Sequence, residues 1–215
     1  MKEKAILKTK TPADYIGYAF YAFGGLGMEL LIMMVETNLY GQDPETWSAV
    51  KQVIHWITTC FLWGCFGAAL VKRLPEIPNI RAKRNDLIAV IIIMSLSIIY
   101  TSFAWNGLKP LMELSHLGFG RFLVQYMYYG FESLLVLLII AYGQEALEGW
   151  FGTIKFLPFG GIFLAGTWGL VHIFSQGIST GIFSVIQSLL FGSVYMILHK
   201  NFKISYIVIA LMFMI

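Results

Sequence analysis

Charged residues are scarce in this 215-residue sequence, at 13% of the chain, whereas 58% of the residues are hydrophobic. Soluble globular domains carry about 25% charged residues. Together with a mean hydropathy of +0.72, this shortage excludes an ordinary water-soluble protein and indicates an integral protein of the lipid bilayer. The net charge of +3 is interpreted as a sign of membrane topology, and no nucleic acid partner is predicted.

Cysteine is rare, and the sequence contains no CxxC motif. Cys60 and Cys65 lie on one predicted helix at a separation of about 8 Å, which is too long for a disulfide. Both are therefore predicted to be free thiols. The four histidines form no HExxH motif, so the sequence predicts no metal site and no cofactor.

Apolar runs long enough to cross a bilayer recur along the chain. A bilayer core of about 30 Å needs about 20 apolar residues per helix. Six predicted spans and a seventh, shorter segment cover residues 15–35, 53–71, 87–104, 119–154, 158–174, 178–198 and 204–215. The predicted fold is an all-α polytopic membrane bundle of six to seven transmembrane helices.

Two parts are predicted within this bundle. A basic loop at 72–86, which contains Pro75 and Pro78, separates them. Residues 1–117 would form N-terminal anchor helices with three spans. Residues 118–215 would form a C-terminal half, in which the unusual polar residues collect.

The distribution of basic residues predicts the orientation of the spans, because flanking lysines and arginines are retained in the cytoplasm. Residues 1–10 and 72–84 are rich in them, and later turns of the same parity contain Lys155, Lys200 and Lys203. The other side has three: Lys51, Lys109 and Arg121. A multi-pass protein of the cell membrane with a cytoplasmic N-terminus is predicted. The first apolar run lacks a cleavage pattern and is predicted to remain as a helix.

Two carboxylates interrupt the apolar sequence within 119–154. This region is too long for one perpendicular span, so a bend at Gly130 is predicted, with the span proper from about 131 to 154. Glu145 and Glu148 would then lie inside the membrane. In the alternative, the helix ends at Tyr142 and both carboxylates are solvated in a cytoplasmic loop.

His172 is a further ionisable residue inside an apolar segment. If the chain reverses near Pro158, Glu145 and His172 lie at a similar depth, about 20 Å from the reversal. Since an unpaired ionisable side chain in hydrocarbon is costly, the two are predicted to pair. Small residues precede His172 at every fourth position: Gly161, Ala165 and Gly169. Such a ridge lets a neighbouring helix approach closely.

These residues resemble the motifs of the membrane-embedded CAAX protease and bacteriocin-processing (CPBP) family, which includes the type II CAAX prenyl endopeptidases. Its members carry Glu-Glu-x-x-x-Arg, Phe-x-x-x-His and His-x-x-x-Asn on successive helices. The segments "QEALEG" (144–149) and "WGLVH" (168–172) are similar to the first two, and the resemblance extends from about Gly118 to residue 215. It implies an intramembrane endopeptidase acting on a peptide or protein, in which Glu145 and His172 activate a water. Glu148 is the alternative base.

The sequence departs from the family pattern at several positions. Gln144 and Gly149 stand where the first Glu and the Arg are expected, and Trp168 replaces the Phe. Leu211 and Ile215 fall where His and Asn would hold the oxyanion. Because losing one oxyanion donor typically lowers the rate about 100- to 1000-fold, weak or absent hydrolysis is expected.

Glu29 is another charged residue within a predicted span, in a glycine-rich context. It needs a hydrogen-bonding partner or a water-filled cavity. One hypothesis is a simple hydrogen bond to a neighbouring helix. Another is a polar path with Glu132 and Glu145 in a small permease or substrate-binding membrane subunit. A third is a scaffold or regulator that binds a partner without cutting it. The sequence leaves these alternatives open.

Overall fold

The computed structural model describes residues 10–75 and 80–215. Three of the four lysines of the N-terminal tail, and Pro78 of the predicted boundary, lie outside the described residues. Within the described residues the chain is 84% helical and contains no strand. The predicted all-α class is therefore confirmed.

Five helices are long and apolar enough to cross a membrane, by length and composition. They are α1 (Pro12–Tyr40), α2 (Ala49–Val71), α3 (Arg84–Ala104), α5 (Phe119–Phe151) and α8 (Ile178–Ile197). The shorter helices are α4 (Lys109–Leu117), α6 (Phe159–Leu164), α7 (Leu170–Gln176) and α9 (Phe202–Met214). A 3₁₀ turn covers Pro44–Thr46, and a π-helical segment, Ala165–Gly169, joins α6 to α7. The five apolar helices fit a multi-pass membrane protein.

Local sequence fixes the ends of the first helix. The Thr11 hydroxyl accepts the Asp14 backbone N–H, and the Asp14 carboxylate accepts the Thr11 backbone N–H. This is a capping box. Pro12 occupies the first helical position. The helix ends where Gly41 adopts a left-handed conformation with φ of 60°, which glycine tolerates without steric cost.

The helix α5 forms the centre of the bundle. It packs against α1, α2, α6 and α9, and every residue from 135 to 142 is fully buried. The outer helices expose large apolar side chains such as Phe61 and Phe103, which is the distribution expected where lipid replaces water. Because α1 and α2 pack on α5, both predicted parts of the chain contribute to one bundle.

The predicted bend at Gly130 is wrong, because α5 is one continuous helix of 33 residues. The Gly130 carbonyl accepts the Tyr206 hydroxyl over 3.1 Å, so α9 supports α5 at this point. A helix of this length spans about 50 Å and must tilt or extend beyond a bilayer core of about 30 Å. The alternative helix end at Tyr142 is also wrong, since α5 continues to Phe151.

Several helix ends meet at one end of the bundle. Lys10 donates to the Arg73 carbonyl, and His199 Nε2 lies 3.1 Å from Asp86 Oδ2. Lys200 forms ion pairs with Glu145 and Glu148 near the end of α5. The start of α1, the end of α2, the start of α3, the end of α5 and the α8–α9 turn therefore lie together. We call this the basic end, after its residues Lys10, Arg73, Lys83, Lys155 and Lys200.

The opposite end contains fewer cations. There Lys109 donates to the Phe213 carbonyl over 2.8 Å, and Arg121 donates to the Gln52 side chain over 3.1 Å. The C-terminal end of α9 therefore meets α4, far from the basic end.

Candidate functional site

A group of ionisable side chains lies inside the bundle where α1, α2 and α5 meet. His55 of α2 lies between two carboxylates of α1: its Nδ1 is 2.6 Å from Glu36 Oε2, and its Nε2 is 3.5 Å from Glu29 Oε1. Tyr128 of α5 donates its hydroxyl to Glu29 Oε1 over 2.6 Å. Together with Glu132 of α5, these residues form what we call the core acidic cluster.

Helical geometry explains how α1 presents two carboxylates to one histidine. Glu29 and Glu36 are seven residues apart, which is two turns, so they project from the same face. Glu36 and His55 are only 7% and 6% exposed. The sequence analysis identified Glu29 but neither His55 nor Glu36. The seven-residue spacing of two glutamates on an apolar helix was the signal that could have found Glu36.

The π-helical segment adds a contact to the cluster. Trp168 lies in this segment and donates its indole N–H to Glu132 Oε1 over 3.4 Å. His172, one turn later, has its Nδ1 2.7 Å from the Trp168 carbonyl. Glu132 and His172 both lie within electrostatic range of Glu29. Short π-helical segments inside α-helices occur frequently at functional sites, and this one carries a side chain directly to the cluster.

An aromatic side chain covers the cluster toward the opposite end of the bundle. The Trp47 ring packs edge-on against His55, with 5.5 Å between ring centroids, and it is buried. Its indole N–H donates to the Gln42 carbonyl over 3.0 Å, which fixes the ring over the histidine. The loop between α1 and α2 therefore separates His55 from solvent.

The charge of the cluster is not balanced by the neighbouring cations. It contains three carboxylates and one imidazole, and within residues 10–75 and 80–215 neither Glu29 nor Glu132 forms a salt bridge with a lysine or arginine. Lys109 is within electrostatic range of Glu132. The cluster must therefore retain protons or attract a cation, because excess negative charge in an apolar bundle is costly.

Lys109 belongs to a separate network at the opposite end. It is buried, and its Nζ lies 4.1 Å from the centroid of the Tyr129 ring. Tyr129 donates its hydroxyl to Glu113 Oε1 over 2.6 Å. Burial lowers the pKa of Lys109, and the charge of Glu113 opposes this effect. This network anchors α4 and the end of α9 to α5.

The predicted catalytic glutamates form a second polar group, at the basic end. Lys200 Nζ lies 2.8 Å from Glu145 Oε1 and 2.5 Å from Glu148 Oε2. Gln144 donates to Glu148 Oε1 over 2.6 Å and accepts the Gly160 N–H over 2.8 Å. We call Gln144, Glu145, Glu148 and Lys200 the lysine clamp. Burial disfavours the charge of Lys200, but its hydrogen bonds to Glu145 and Glu148 outweigh burial and raise its pKa.

The structure does not bring Glu145 and His172 together. The helix α5 ends at Phe151 and α6 begins at Phe159, so the chain reverses earlier than the predicted turn at Pro158. Since Trp168 contacts Glu132, His172 lies opposite about position 128 of α5, which is about 25 Å from Glu145 along the helix axis. The prediction of one shared depth was wrong. A catalytic role for Glu145, Glu148 or His172 stays a prediction.

The comparisons with known proteins found no match. It matches no model of a known protein family, and no curated protein or solved structure matches it significantly. The function therefore has to be argued from the two polar groups.

The two groups differ in what they can do chemically. The lysine clamp is electrically satisfied, because one ammonium bridges two carboxylates and Gln144 completes the network. In the core acidic cluster, a protonated His55 can bridge Glu29 and Glu36 in the same way, but the third carboxylate, Glu132, forms no salt bridge within the described residues. Among the described residues, no three His, Cys, Asp or Glu side chains are grouped to hold a metal ion. The core acidic cluster is thus the better candidate for binding a proton or an organic cation.

Proposed function

We propose that this chain is a small membrane carrier that binds an organic cation between Glu29 and Glu132. The observation that carries the proposal is that Glu29 of α1 and Glu132 of α5 lie within electrostatic range of each other. Neither forms a lysine or arginine salt bridge in the described residues. A bound cation would offset their repulsion. Intramembrane carboxylates commonly mark substrate or ion pathways.

The surroundings favour an ammonium group over a metal ion. The Trp63 ring packs on Tyr128, with 4.7 Å between ring centroids, and Trp168 reaches Glu132. Aromatic faces attract an ammonium group through their quadrupole. Hard metal ions need several oxygen ligands instead. Aromatic rings beside two carboxylates therefore favour a quaternary or protonated amine.

The accessibility of the two carboxylates of α1 differs. The Glu29 side chain is 28% exposed and that of Glu36 is 10% exposed. Glu29 is therefore the residue that a ligand can reach, and Glu36 lies behind it under the loop. The π-helical segment beside Glu132 supplies an irregular helix that could change shape as the ligand enters.

The proposed carrier has seven spans and a cytoplasmic N-terminus. In chain order, the continuous segment from Phe159 to Gln176 would form the fifth span and α9 the seventh, in addition to the five long helices. The concentration of cations at the basic end supports a cytoplasmic position for that end.

Binding of tetramethylammonium to the purified chain in detergent tests the proposal, with isothermal titration calorimetry as the measurement. We expect Glu29→Gln and Glu132→Gln each to weaken binding by at least about tenfold, since each removes one of the two negative charges proposed to hold the cation. The exposed Glu45, outside the bundle core, supplies the matched control Glu45→Gln. Uptake of labelled tetramethylammonium into proteoliposomes should follow the same order. The carrier proposal fails if the wild-type chain neither binds nor transports the cation.

An intramembrane endopeptidase of CPBP type is the second candidate. The observation that favours it is the gathering of Gln144, Glu145 and Glu148 beside the Gly160 N–H at the junction of α5 and α6. Because Lys200 occupies both carboxylates, we propose a weakened or inactive enzyme that retains peptide binding as a scaffold. Incubation with a prenylated test peptide decides this point. Robust cleavage that is abolished by Glu145→Gln or His172→Ala would establish the enzyme instead.

A further inference from the structure

We infer that His55 is a proton relay between Glu36 and Glu29, which makes the carrier an exchanger of one proton for one organic cation. This inference rests on the proposed function, because it assigns the coupling ion of the same site. The geometry that carries it is a single imidazole whose two ring nitrogens each face a different carboxylate.

The short contacts of His55 determine how many protons Glu29, His55 and Glu36 share. A neutral imidazole has one N–H and one bare lone pair. The Nδ1 contact with Glu36 at 2.6 Å is a hydrogen bond and needs a proton. The Nε2 contact with Glu29 at 3.5 Å is longer, but it would be repulsive if it joined a lone pair to an ionised carboxylate. The contacts of His55 with Glu36 and with Glu29 are therefore both favourable only when one proton lies between His55 and each carboxylate, which is two protons for the three side chains.

Proton transfer through His55 follows the approach of a cation. When a cation approaches Glu29, the proton between Glu29 and His55 moves to Nε2, and the Nδ1 proton moves to Glu36 Oε2. The imidazole thus accepts a proton at one nitrogen and releases one at the other, which suits histidine near neutral pH. One O–H or N–H bond forms for each that breaks. One positive charge enters and one leaves, so the charge of the site is conserved.

The positions of Glu36 and Glu29 along α1 set the direction in which the proton leaves. Glu36 lies one turn before the end of α1 at Tyr40, whereas Glu29 lies about 10 Å deeper along the helix axis. The proton released from Glu36 therefore leaves toward the opposite end of the bundle. Trp47 covers His55 on that side, so the loop between α1 and α2 controls when the proton reaches solvent.

The cations near the relay are engaged elsewhere. On the same helix as His55, Lys51 donates to the Gln42 side chain over 2.7 Å. Arg121 of α5 donates to Gln52. Neither forms a salt bridge with Glu29 or Glu36 in the described part of the chain. The proton, and not a fixed cation, therefore balances the two carboxylates of α1.

Other titratable groups face Glu29 from the helices packed around it. Those within electrostatic range include Cys60, Tyr128, Glu132 and His172. The Tyr128 hydroxyl donates to the same Glu29 oxygen that faces His55. It stabilises the ionised carboxylate after the proton has left. Glu132 has the opposite effect, because its negative charge favours retention of the proton until a cation binds.

Proton movement in proteoliposomes tests the relay. Vesicles that contain the full chain and a lumenal pH-sensitive dye receive a saturating gradient of tetramethylammonium, which cannot itself carry a proton. We expect protons to move against the cation. His55→Gln and Glu36→Gln should each lower the initial rate at least about tenfold, as expected when a proton-transfer group is removed. His116→Gln, at an exposed histidine of α4, should leave the rate unchanged.

The outcomes separate the relay from the carrier. Cation uptake by the wild-type chain without proton movement would overturn the relay and keep the carrier. A wild-type rate in His55→Gln would overturn it as well. If no cation binds, the carrier fails, and ¹⁵N NMR of the histidine-labelled chain decides the relay alone. Glu36→Gln should then shift the Nδ1 resonance of His55 and Glu29→Gln the Nε2 resonance. An unchanged resonance in either variant would overturn proton sharing.

Discussion

Lys200 of the α8–α9 turn donates a hydrogen bond to Glu145 of α5 over 2.8 Å. The turn that presents it is conformationally unusual, since His199 and Lys200 adopt φ values of 53° and 61°. Non-glycine residues rarely occupy this left-handed region, and such backbone persists when the surrounding contacts hold it. The ion pairs to Glu145 and Glu148 supply those contacts. They tie the turn before α9 to the central helix.

Lys200→Met should destabilise the bundle. It leaves two carboxylates next to each other without their shared cation, at positions where the side chains are mostly buried. We expect the free energy of unfolding to fall by about 1–3 kcal/mol, which is less than for a fully buried ion pair because some solvent screening remains. Thermal unfolding in detergent measures it. Lys203→Met, at an exposed lysine of α9, is the matched control and should change the midpoint little. Equal midpoints for the two variants would contradict the role of the lysine clamp.

Stability should also depend on alkaline pH through the same lysine. The folded-state pKa of Lys200 is raised above its ordinary value of 10.5. Its stabilising contribution is therefore fully present below that value and is lost as the pH rises through the raised pKa. The difference in unfolding midpoint between wild type and Lys200→Met should be constant from pH 7 to 9 and decrease only at more alkaline pH. A difference that already disappears below pH 9 would contradict the raised pKa.

The small-residue ridge should be essential where two backbones touch. Gly161 of α6 packs against the backbone of Gly192 on α8, and a Cβ on Gly192 would collide with the Gly161 backbone. We expect Gly192→Ala to cost about 1–3 kcal/mol, as for overpacking, because backbone atoms cannot rotate away. Gly166→Ala, where an added Cβ meets nothing within 4 Å, is the control. Size-exclusion profiles and unfolding midpoints should separate the two variants, and equal behaviour would argue against close packing.

Reporter fusions should place the two ends of the bundle on opposite sides of the membrane. Lys83 lies at the basic end, whereas the Phe213 carbonyl near the end of α9 meets Lys109 at the other end. A fusion after Lys83 should report the cytoplasm, and a fusion at Ile215 the outside. Two cytoplasmic reporters would remove α9 as a crossing helix.

Apolar length predicted the positions of several helices well. The span predicted at 178–198 is observed as Ile178–Ile197, and the span predicted at 87–104 as Arg84–Ala104. Lipid requires every backbone polar group to bond within its own helix, so hydropathy alone defines such segments. Hydropathy did not define where the chain turns back after α5. Here Gly152, with φ of 81°, ends the helix earlier than Pro158.

Contacts between helices could be predicted only in part. Glu36 and His55 are separated by 19 residues and lie on different helices, and no periodicity specifies which faces meet. Both α1 and α5 are apolar on nearly all sides, because lipid and protein interior are equally apolar. The sequence therefore identified Glu29 as a charge that needs a partner and offered Glu132 only as part of a hypothetical polar path, and only the packed bundle shows which residues surround them.

Removing the aromatic cover over His55 should expose the histidine to chemical modification. In the wild-type chain Trp47 packs against His55, which is only 6% exposed, so diethyl pyrocarbonate should modify it slowly. Trp47→Ala removes the ring and the hydrogen bond that fixes it, and we expect modification at His55 to accelerate at least about tenfold, in proportion to the local opening that the ring prevents. Mass spectrometry of peptides measures the rate, with the exposed His116 as an internal reference that should react equally in both proteins. Slow modification of His55 in Trp47→Ala would show that the surrounding helices, and not the loop between α1 and α2, separate the histidine from solvent.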